Sequence, residues 1–288
     1  MHRILLGVPS SGSVSWTSAH AAFLSSRKHK VSILPSCLSG PNYNACLVAA
    51  LNAAADGLCD RHAQIHADMH VVEKQEICRD CHGEKCDQCD HSGIQVYERW
   101  LDVLNDEMDK YNADFISVPM AIKDAFSGAT SCGVGSPNNR WNPWRRFCPN
   151  EFEKFPETFC AADIGYADKF LLHNHALCLF NMESPLWRET DASGCLKAMF
   201  NFEERVYRDG AGKWQRVQES EDWNFSRRLW ELGAKTYITS KIRTLHHGSM
   251  SFENVGDWGV WKRGDENTSS QWRQHDPLSR EMPVAMRV

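Results

Sequence analysis

An Asp-x-His motif presents two side chains of the types that bind divalent cations. Asp68 and His70 flank Met69 within the segment Gln64–Val72, which reads as a short strand. Alternation along a strand would place both side chains on the same side. A carboxylate oxygen and an imidazole nitrogen suit a cation such as manganese, whose open positions accept phosphate oxygens. The motif therefore predicts a site for a cation and a diphosphate, and the alternative interpretation is a turn-forming Asp beside a surface His.

Four cysteines fall within twelve residues as two Cys-x-x-Cys pairs. They are Cys78, Cys81, Cys86 and Cys89. Four thiolates at this spacing can close tetrahedrally around zinc. The surrounding segment is rich in charged and turn residues and cannot bury a core, so zinc would supply its folding free energy. Structural zinc is the prediction, with an iron-sulfur centre, disulfides or free thiols as alternatives.

Two acidic residues and two histidines later in the chain are further candidates. Glu221 and Asp222 open a predicted helix, where the helix dipole stabilises negative charge and explains them structurally. In catalysis, one carboxylate would take a proton from an attacking hydroxyl or stabilise an oxocarbenium-like sugar. His246 and His247 end a late strand, and either would complete the cation site begun by Asp68 and His70.

The elements that must position these residues alternate between strand and helix, which predicts an α/β fold with ligands at the ends of strands. A small polar loop containing Pro9, Ser10 and Ser11 follows the first strand. The segment 127–158 reads as a loop, in which arginines and tryptophans would clasp a phosphate, stack on a base or sugar, or simply pack. The predicted strands are 4–8, 31–34, 64–72, 114–119, 234–239 and 241–245, and 170–180 reads as a strand or a strand pair. The predicted helices are 44–55, 100–111 and 221–233.

Composition limits the class of protein. With 288 residues, 42% of them hydrophobic, the chain can bury a core for one large domain or two small ones. A net charge of −5 argues against nonspecific coating of nucleic acid. No apolar run approaches the length of a membrane span, and the clustered cysteines favour a metal site in a reducing compartment. We therefore expect a cytoplasmic protein without a membrane span.

The order of these features resembles the GT-A fold nucleotide-sugar glycosyltransferases. The shared features are the first strand, an Ala-rich helix led by Asn44, the Asp-x-His motif, a Glu-Asp pair opening a helix and a strand ending in His, over roughly residues 3 to 248. A weaker similarity is to glycosyltransferases of tailed phages, which would place the protein in the host cytoplasm. The resemblance implies a Rossmann-like, mostly parallel central sheet flanked by helices over residues 1–253. The four-cysteine zinc knuckle at 74–97 would be an insertion, and 254–288 a tail that packs on the domain or covers the acceptor cleft.

The same resemblance implies roles for individual residues. Asp68, His70 and His246 would bind Mn²⁺ or Mg²⁺ and the donor diphosphate, with His247 as the alternative to His246. Asp222, with Glu221 beside it, would be the base in an inverting enzyme, whereas the resemblance to the Asp-x-His relatives favours a retaining one, and both outcomes stay open. The nucleotide would lie against Pro9, Ser10, Ser11 and Asn44.

The acceptor would be a hydroxymethylated base in phage DNA, a glycan or a protein. Two other functions stay open from the residues alone. One is a nucleotide-cleaving phosphotransfer enzyme, which would use the same cation and carboxylates. The other is a zinc-dependent nucleic-acid-binding module, for which the cysteine knuckles and the Arg-Trp segment argue.

Overall fold

A computed structural model of the protein describes residues 2–10, 30–35, 39–66, 68–72, 74–77, 94–123, 128–247 and 251–256. These residues form a mixed α/β fold in which sheets dominate and helices are few. The prediction of an α/β class is therefore confirmed.

The strands of the described residues are β1 (Ile4–Ser10), β2 (Lys30–Pro35), β3 (Arg61–Ile65), β4 (Met69–Val72), β5 (Lys74–Ile77), β6 (Ile94–Glu98), β7 (Phe115–Ser117), β8 (Gly133–Ser136), β9 (Asn139–Arg146), β10 (Thr158–Phe159), β11 (Phe170–Leu172), β12 (Leu177–Asn181), β13 (Glu203–Arg208), β14 (Trp214–Glu219), β15 (Thr236–Thr239), β16 (Arg243–His247) and β17 (Ser251–Glu253). The α-helices are α1 (Ser39–Ala55), α2 (Trp100–Tyr111) and α3 (Glu221–Glu231), and short 3-10 helices cover Pro149–Lys154, Ala162–Ile164 and Pro185–Arg188.

The central sheet has seven strands in the order β10-β15-β7-β12-β3-β1-β2. β1 is parallel to β2 and β3, and β7 is parallel to β15. β12 runs antiparallel to both of its neighbours, β3 and β7, and β10 runs antiparallel to β15. Five strands thus share one direction, and their carboxyl ends meet at one edge. Because β12 runs the other way, the residues that precede it lie at that same edge.

The helices pack on both faces of this sheet. The buried side chains of α2 include Trp100, Leu104 and Met108, at the spacing of one helix face, and they belong to a core with Ile116 and Leu179. On the other face, α1 and α3 share a second core with the sheet residues Phe115 and Phe180. The sequence predicted α2 at its observed bounds, since its apolar periodicity is regular.

Smaller sheets surround the central one. β17, β16 and β4 form one three-stranded sheet, and β11, β8 and β9 form another. β13 and β14 form a hairpin, as do β5 and β6, the arms of the predicted cysteine insertion. The four cysteines of that insertion lie outside the described residues, and so does the tail beyond residue 256.

Two predictions of local structure are wrong. The segment 64–72 is not one strand, because β3 ends at Ile65 and β4 starts at Met69 in a different sheet. The segment 127–158 is not a loop, because it contains the hairpin β8–β9. Gly135 lies in β8, where a Cβ atom would lie 2.4 Å from the ring of Phe170, so glycine is what lets this ring pack.

Candidate active site

Asp68 lies in the turn between β3 and β4, so strand alternation does not apply to it. Its carboxylate is 42% exposed and faces the end of another strand. β4 pairs antiparallel with β16, and Met69 is directly opposite His246 in this pairing. The backbone N–H of His247 donates to the carbonyl of Asp68 across 2.9 Å, which ties the turn to β16. The sheet β17-β16-β4 therefore brings the motif and the late histidine pair together.

The carboxylate of Asp68 has two cationic or potentially cationic neighbours. Nε2 of His246 lies 3.4 Å from its Oδ2, and the ammonium group of Lys123 forms an ion pair with the same oxygen. Burial alone would raise the pKa of Asp68, but the bonds from His246 and Lys123 outweigh it and hold this pKa well below its usual range. Asp68 is therefore a carboxylate anion at neutral pH.

The tautomer of His246 follows from its second ring nitrogen. Nδ1 lies 2.8 Å from the carbonyl oxygen of Ala121, which can only accept a hydrogen bond, so Nδ1 carries a proton. In the neutral ring, Nε2 would then present a lone pair to the Asp68 carboxylate. The Nε2 lone pair and the Asp68 Oδ2 would repel each other at 3.4 Å. A positive group between them, either a second proton on the ring or a bound cation, would remove this repulsion.

His70 and His247 lie elsewhere. His70 is opposite Leu245 in the β4–β16 pairing, and Leu245 is the residue before His246. Because side chains alternate along a strand, His70 and His246 lie on opposite faces of that sheet. Its ring packs edge-on against His247, with ring centroids 6.0 Å apart. The expectation that Asp68 and His70 face the same side is thus wrong.

Within the described ranges, no group of three or more His, Cys, Asp or Glu side chains is arranged to hold a metal ion.

His66 and Tyr43 extend the site into the interior. The phenol of Tyr43 is hydrogen-bonded to Nε2 of His66, and the two rings stack 5.3 Å apart. Nδ1 of His66 lies 3.8 Å from Oδ1 of Asp68. Burial lowers the pKa of His66 to about 4. The negative charges of Asp68 and Asp222 raise this pKa, but burial outweighs them. Burial raises the pKa of Tyr43 well above its usual value, so a neutral phenol and a neutral imidazole support the carboxylate.

Asp222 lies near Tyr43 as well. Its Oδ1 lies 2.8 Å from Nδ1 of His175, a residue of the turn before β12. The rings of Tyr43 and His175 are 6.3 Å apart, and the charges of Asp222 and Glu221 both act on Tyr43. The predicted cation motif and the predicted base are therefore parts of one constellation.

The position of Asp222 is fixed by the start of α3. Glu219, whose side chain is 2% exposed, precedes the helix and accepts hydrogen bonds from Arg140, Asn224 and Arg227. The bonds from these donors overcome desolvation and keep the pKa of Glu219 below its usual range. This buried ionic network joins β9 and β14 to the first turns of α3. Asp222 thus projects from a rigid helix end.

The residues predicted to hold the nucleotide have different outcomes. Pro9 and Ser10 form the end of β1, at the edge of the central sheet where β3 also ends, and Ser11 lies outside the described residues. The Asn44 side chain is hydrogen-bonded to the protein backbone. Its amide nitrogen donates to the carbonyl of Phe200, and its oxygen accepts from the Phe200 N–H, at 2.7 and 2.9 Å. Asn44 is therefore an anchor for the Phe200 segment.

The arginines of the Arg-Trp segment form ion pairs or ring contacts within the protein, as expected of a packed segment. Arg140 pairs with Glu203 and Glu219, and Arg145 pairs with Glu151. Arg146 lies over the ring of Trp223 at 4.5 Å. Burial lowers the pKa of Arg146 to about 10, while the charge of Asp222 opposes that shift.

Four residues of the site were missed in the sequence: Tyr43, His66, Lys123 and His175. His66 stands two residues before Asp68, so its proximity was a usable signal. His175 stands with His173 in a buried segment, where the sequence predicts hydrogen-bonded histidines and no site. Tyr43 and Lys123 reach the site through contacts distant in sequence, and no local pattern marks them. Cys78, Cys81, Cys86 and Cys89 stay a prediction, since they lie outside the described residues.

Comparison with known proteins adds little to these observations. No family model and no curated protein matches the chain. Among solved structures, the chain is similar to the crystal structure of A197 from STIV, with 12% sequence identity and a TM-score of 0.49 over 91% of this chain and 95% of that one. No helix in the described ranges is long and apolar enough to cross a membrane.

Proposed function

We propose that this protein is a metal-dependent glycosyltransferase of the GT-A type, which moves a sugar from a nucleoside diphosphate sugar to an acceptor hydroxyl. The observation that carries the proposal is the convergence of Asp68, His246 and Asp222 on His66, whose pKa is influenced by the charges of all three. A leaving diphosphate needs positive charge, and an attacking hydroxyl needs a base. These three residues would supply a place for both near the edge of the central sheet at which five of its seven strands end.

Asp68 and His246 fit a divalent cation. The Nδ1 proton of His246 is held by a backbone carbonyl, which is the arrangement that directs Nε2 of a histidine toward a metal. Two protein ligands leave the remaining positions to water and to the donor diphosphate, as is usual for magnesium-type sites. When bound, the cation would stabilise the negative charge of the leaving diphosphate. The contribution of His70 to this site is dropped from the proposal.

Asp222 is proposed as the base. The acceptor oxygen bonds to the anomeric carbon of the sugar, the bond from that carbon to the diphosphate oxygen breaks, and the diphosphate keeps the electron pair. The acceptor proton passes to the carboxylate of Asp222, which is 21% exposed and thus reachable from solvent. Lys123, already paired with Asp68, is close enough to this region to balance the charge of the diphosphate.

The cysteine insertion enters the proposal as a structural zinc knuckle. Ile77 and Ile94 are paired in the β5–β6 hairpin, so the two ends of the cysteine segment leave the sheet side by side. Such a closed stem suits a small loop folded by its own metal. Zinc analysis of the purified chain should give about one ion per molecule. Loss of that ion on substituting the four cysteines by serine would support the assignment.

The proposal is tested with a panel of nucleotide sugars. Thermal unfolding is recorded with each donor, with and without manganese, because a ligand that binds the folded state raises the unfolding temperature. The stabilising donors are then incubated with glycans, proteins and hydroxymethylated DNA. Sugar on an acceptor supports the proposal, whereas release of phosphate without transfer indicates the phosphotransfer alternative.

Asp68→Asn is the decisive variant in this assay, and Asp102→Asn, on the exposed side of α2, is its control. We expect loss of manganese-dependent stabilisation and turnover in the first variant and no change in the second. Undiminished transfer by Asp68→Asn would exclude the proposed metal site.

A further inference from the structure

His175 is the most enclosed polar group of the site. Its side chain has no solvent exposure, and its Nδ1 lies 2.8 Å from Oδ1 of Asp222, whose own side chain is 21% exposed. The Asp222 carboxylate therefore contacts the buried imidazole and is also partly exposed to solvent. One of its oxygens is fixed in the interior by this single contact.

Aromatic rings surround the rest of the imidazole. Phe200 and Phe225 stand edge-on to it, with ring centroids 4.7 and 4.9 Å away, and Phe115 lies 5.2 Å away. Nε2 is buried and has no hydrogen-bond partner among the described residues. A phenyl ring would fill this aromatic pocket without burying an unpaired nitrogen, so packing alone does not explain a histidine. The polar contact that explains it is the one to Asp222.

The loop that carries His175 is locked onto the first turn of α3. The N–H of His173 donates to Oγ of Ser226 at 2.9 Å, and that hydroxyl donates to the carbonyl of Asp222 at 2.7 Å. The side chain of Asn174 accepts from the N–H of Ala176 at 2.7 Å. Hydrogen bonds thus fix both the imidazole of His175 and the backbone next to it relative to Asp222.

We propose that His175 is a positioning residue that donates its Nδ1–H to Oδ1 of Asp222 and so orients the carboxylate for proton transfer. This inference rests on the proposed role of Asp222 as base. A base works only when its free oxygen lies within hydrogen-bond reach of the acceptor hydroxyl. Without the buried donor, the carboxylate would rotate or take up other partners, and the transfer step would slow while donor binding, near Asp68, would not change.

Two substitutions separate positioning from packing. His175→Phe keeps an aromatic ring in the aromatic pocket and removes the donor. His175→Asn supplies an amide N–H near the place of Nδ1. We expect His175→Phe to lower kcat about a hundredfold, with the donor KM unchanged within about twofold, since misplacement of a catalytic group by about 1 Å has effects of this size. His175→Asn should recover most of the loss.

Equal kcat in the wild type and His175→Phe would overturn the inference. Parallel loss of kcat and rise of KM in both variants would also overturn it, because that pattern indicates a general structural role.

A spectroscopic measurement keeps the inference testable without activity. In the wild-type protein, the Nδ1–H proton of His175 should give a downfield, slowly exchanging resonance that Asp222→Asn shifts upfield. An Nδ1 without a proton, or a resonance insensitive to Asp222→Asn, would overturn the positioning role. A protein that shows this resonance but transfers no sugar would instead contradict the proposed function and leave the His175–Asp222 bond established.

Discussion

The carboxylate of Asp68 and the imidazole of His246 lie 3.4 Å apart although they come from distant parts of the chain. The antiparallel pairing of β4 with β16 creates this contact by placing Met69 opposite His246. The same pairing turns His70 to the other face of the sheet. The pairing of the Asp68 carboxylate with the His246 imidazole is therefore a direct consequence of strand register.

Lys123 is expected to compete with a metal ion for Asp68. The ammonium group forms an ion pair with the oxygen that also faces His246. Lys123→Met should tighten manganese binding about two- to fivefold, which is the strength of a partly exposed ion pair. Calorimetric titration with manganese measures this change. Lys123→Arg keeps the positive charge and serves as the control, and weaker binding by Lys123→Met would show that the lysine assists the cation site instead.

Glu219 is expected to be important for stability because it is buried with several charged donors. Removing it leaves the guanidinium groups of Arg140 and Arg227 without their buried partner. Glu219→Ala should lower the free energy of unfolding by about 3 kcal/mol. The matched change Glu204→Ala, in the same hairpin, removes an exposed partner of Arg216 and should cost less than about 1 kcal/mol. Urea unfolding of both variants decides this, and similar losses would contradict the network's role.

His62 should make stability depend on pH. It is fully buried, with Nδ1 bonded to the carbonyl of Leu5, and burial lowers its pKa from 6.5 to about 4. The unfolded chain therefore takes up a proton below pH 6.5 that the folded protein binds only near pH 4. Stability should be full above this window and should fall through it, by about 3 kcal/mol for this group.

His62→Asn keeps an N–H donor near the place of Nδ1 and removes the titration. Its free energy of unfolding should therefore fall less than that of the wild type between about pH 7 and about pH 4. Urea unfolding at the two pH values provides the comparison. His2→Asn, a substitution of a partly exposed histidine, is the control. An unchanged pH dependence in His62→Asn would exclude a buried neutral imidazole.

Residue type and spacing were sufficient to predict part of the site. Asp68, His246 and Asp222 were all selected from short motifs, and the structure brings them into one constellation. α2 was predicted at its observed bounds, since buried apolar residues recur on one face of it. Such features are encoded locally, so a local pattern identifies them.

The missing parts depend on contacts between distant residues. Tyr43 and His175 meet near Asp222 because α1 and the turn before β12 lie at the same edge of the sheet, and no short motif encodes that edge. The break between β3 and β4 was missed because apolar residues flank it on both sides and the residues between them include neither Gly nor Pro.

The most direct test is manganese binding by His246→Ala and His247→Ala, measured by calorimetry in the presence of a nucleoside diphosphate. These neighbouring histidines face opposite sides of one strand, so they form a matched pair. We predict that His246→Ala weakens manganese binding at least tenfold, in line with the loss of a metal ligand, and that His247→Ala binds like the wild type. Equal affinities in both variants, or a loss confined to His247→Ala, would contradict a cation site at Asp68 and His246.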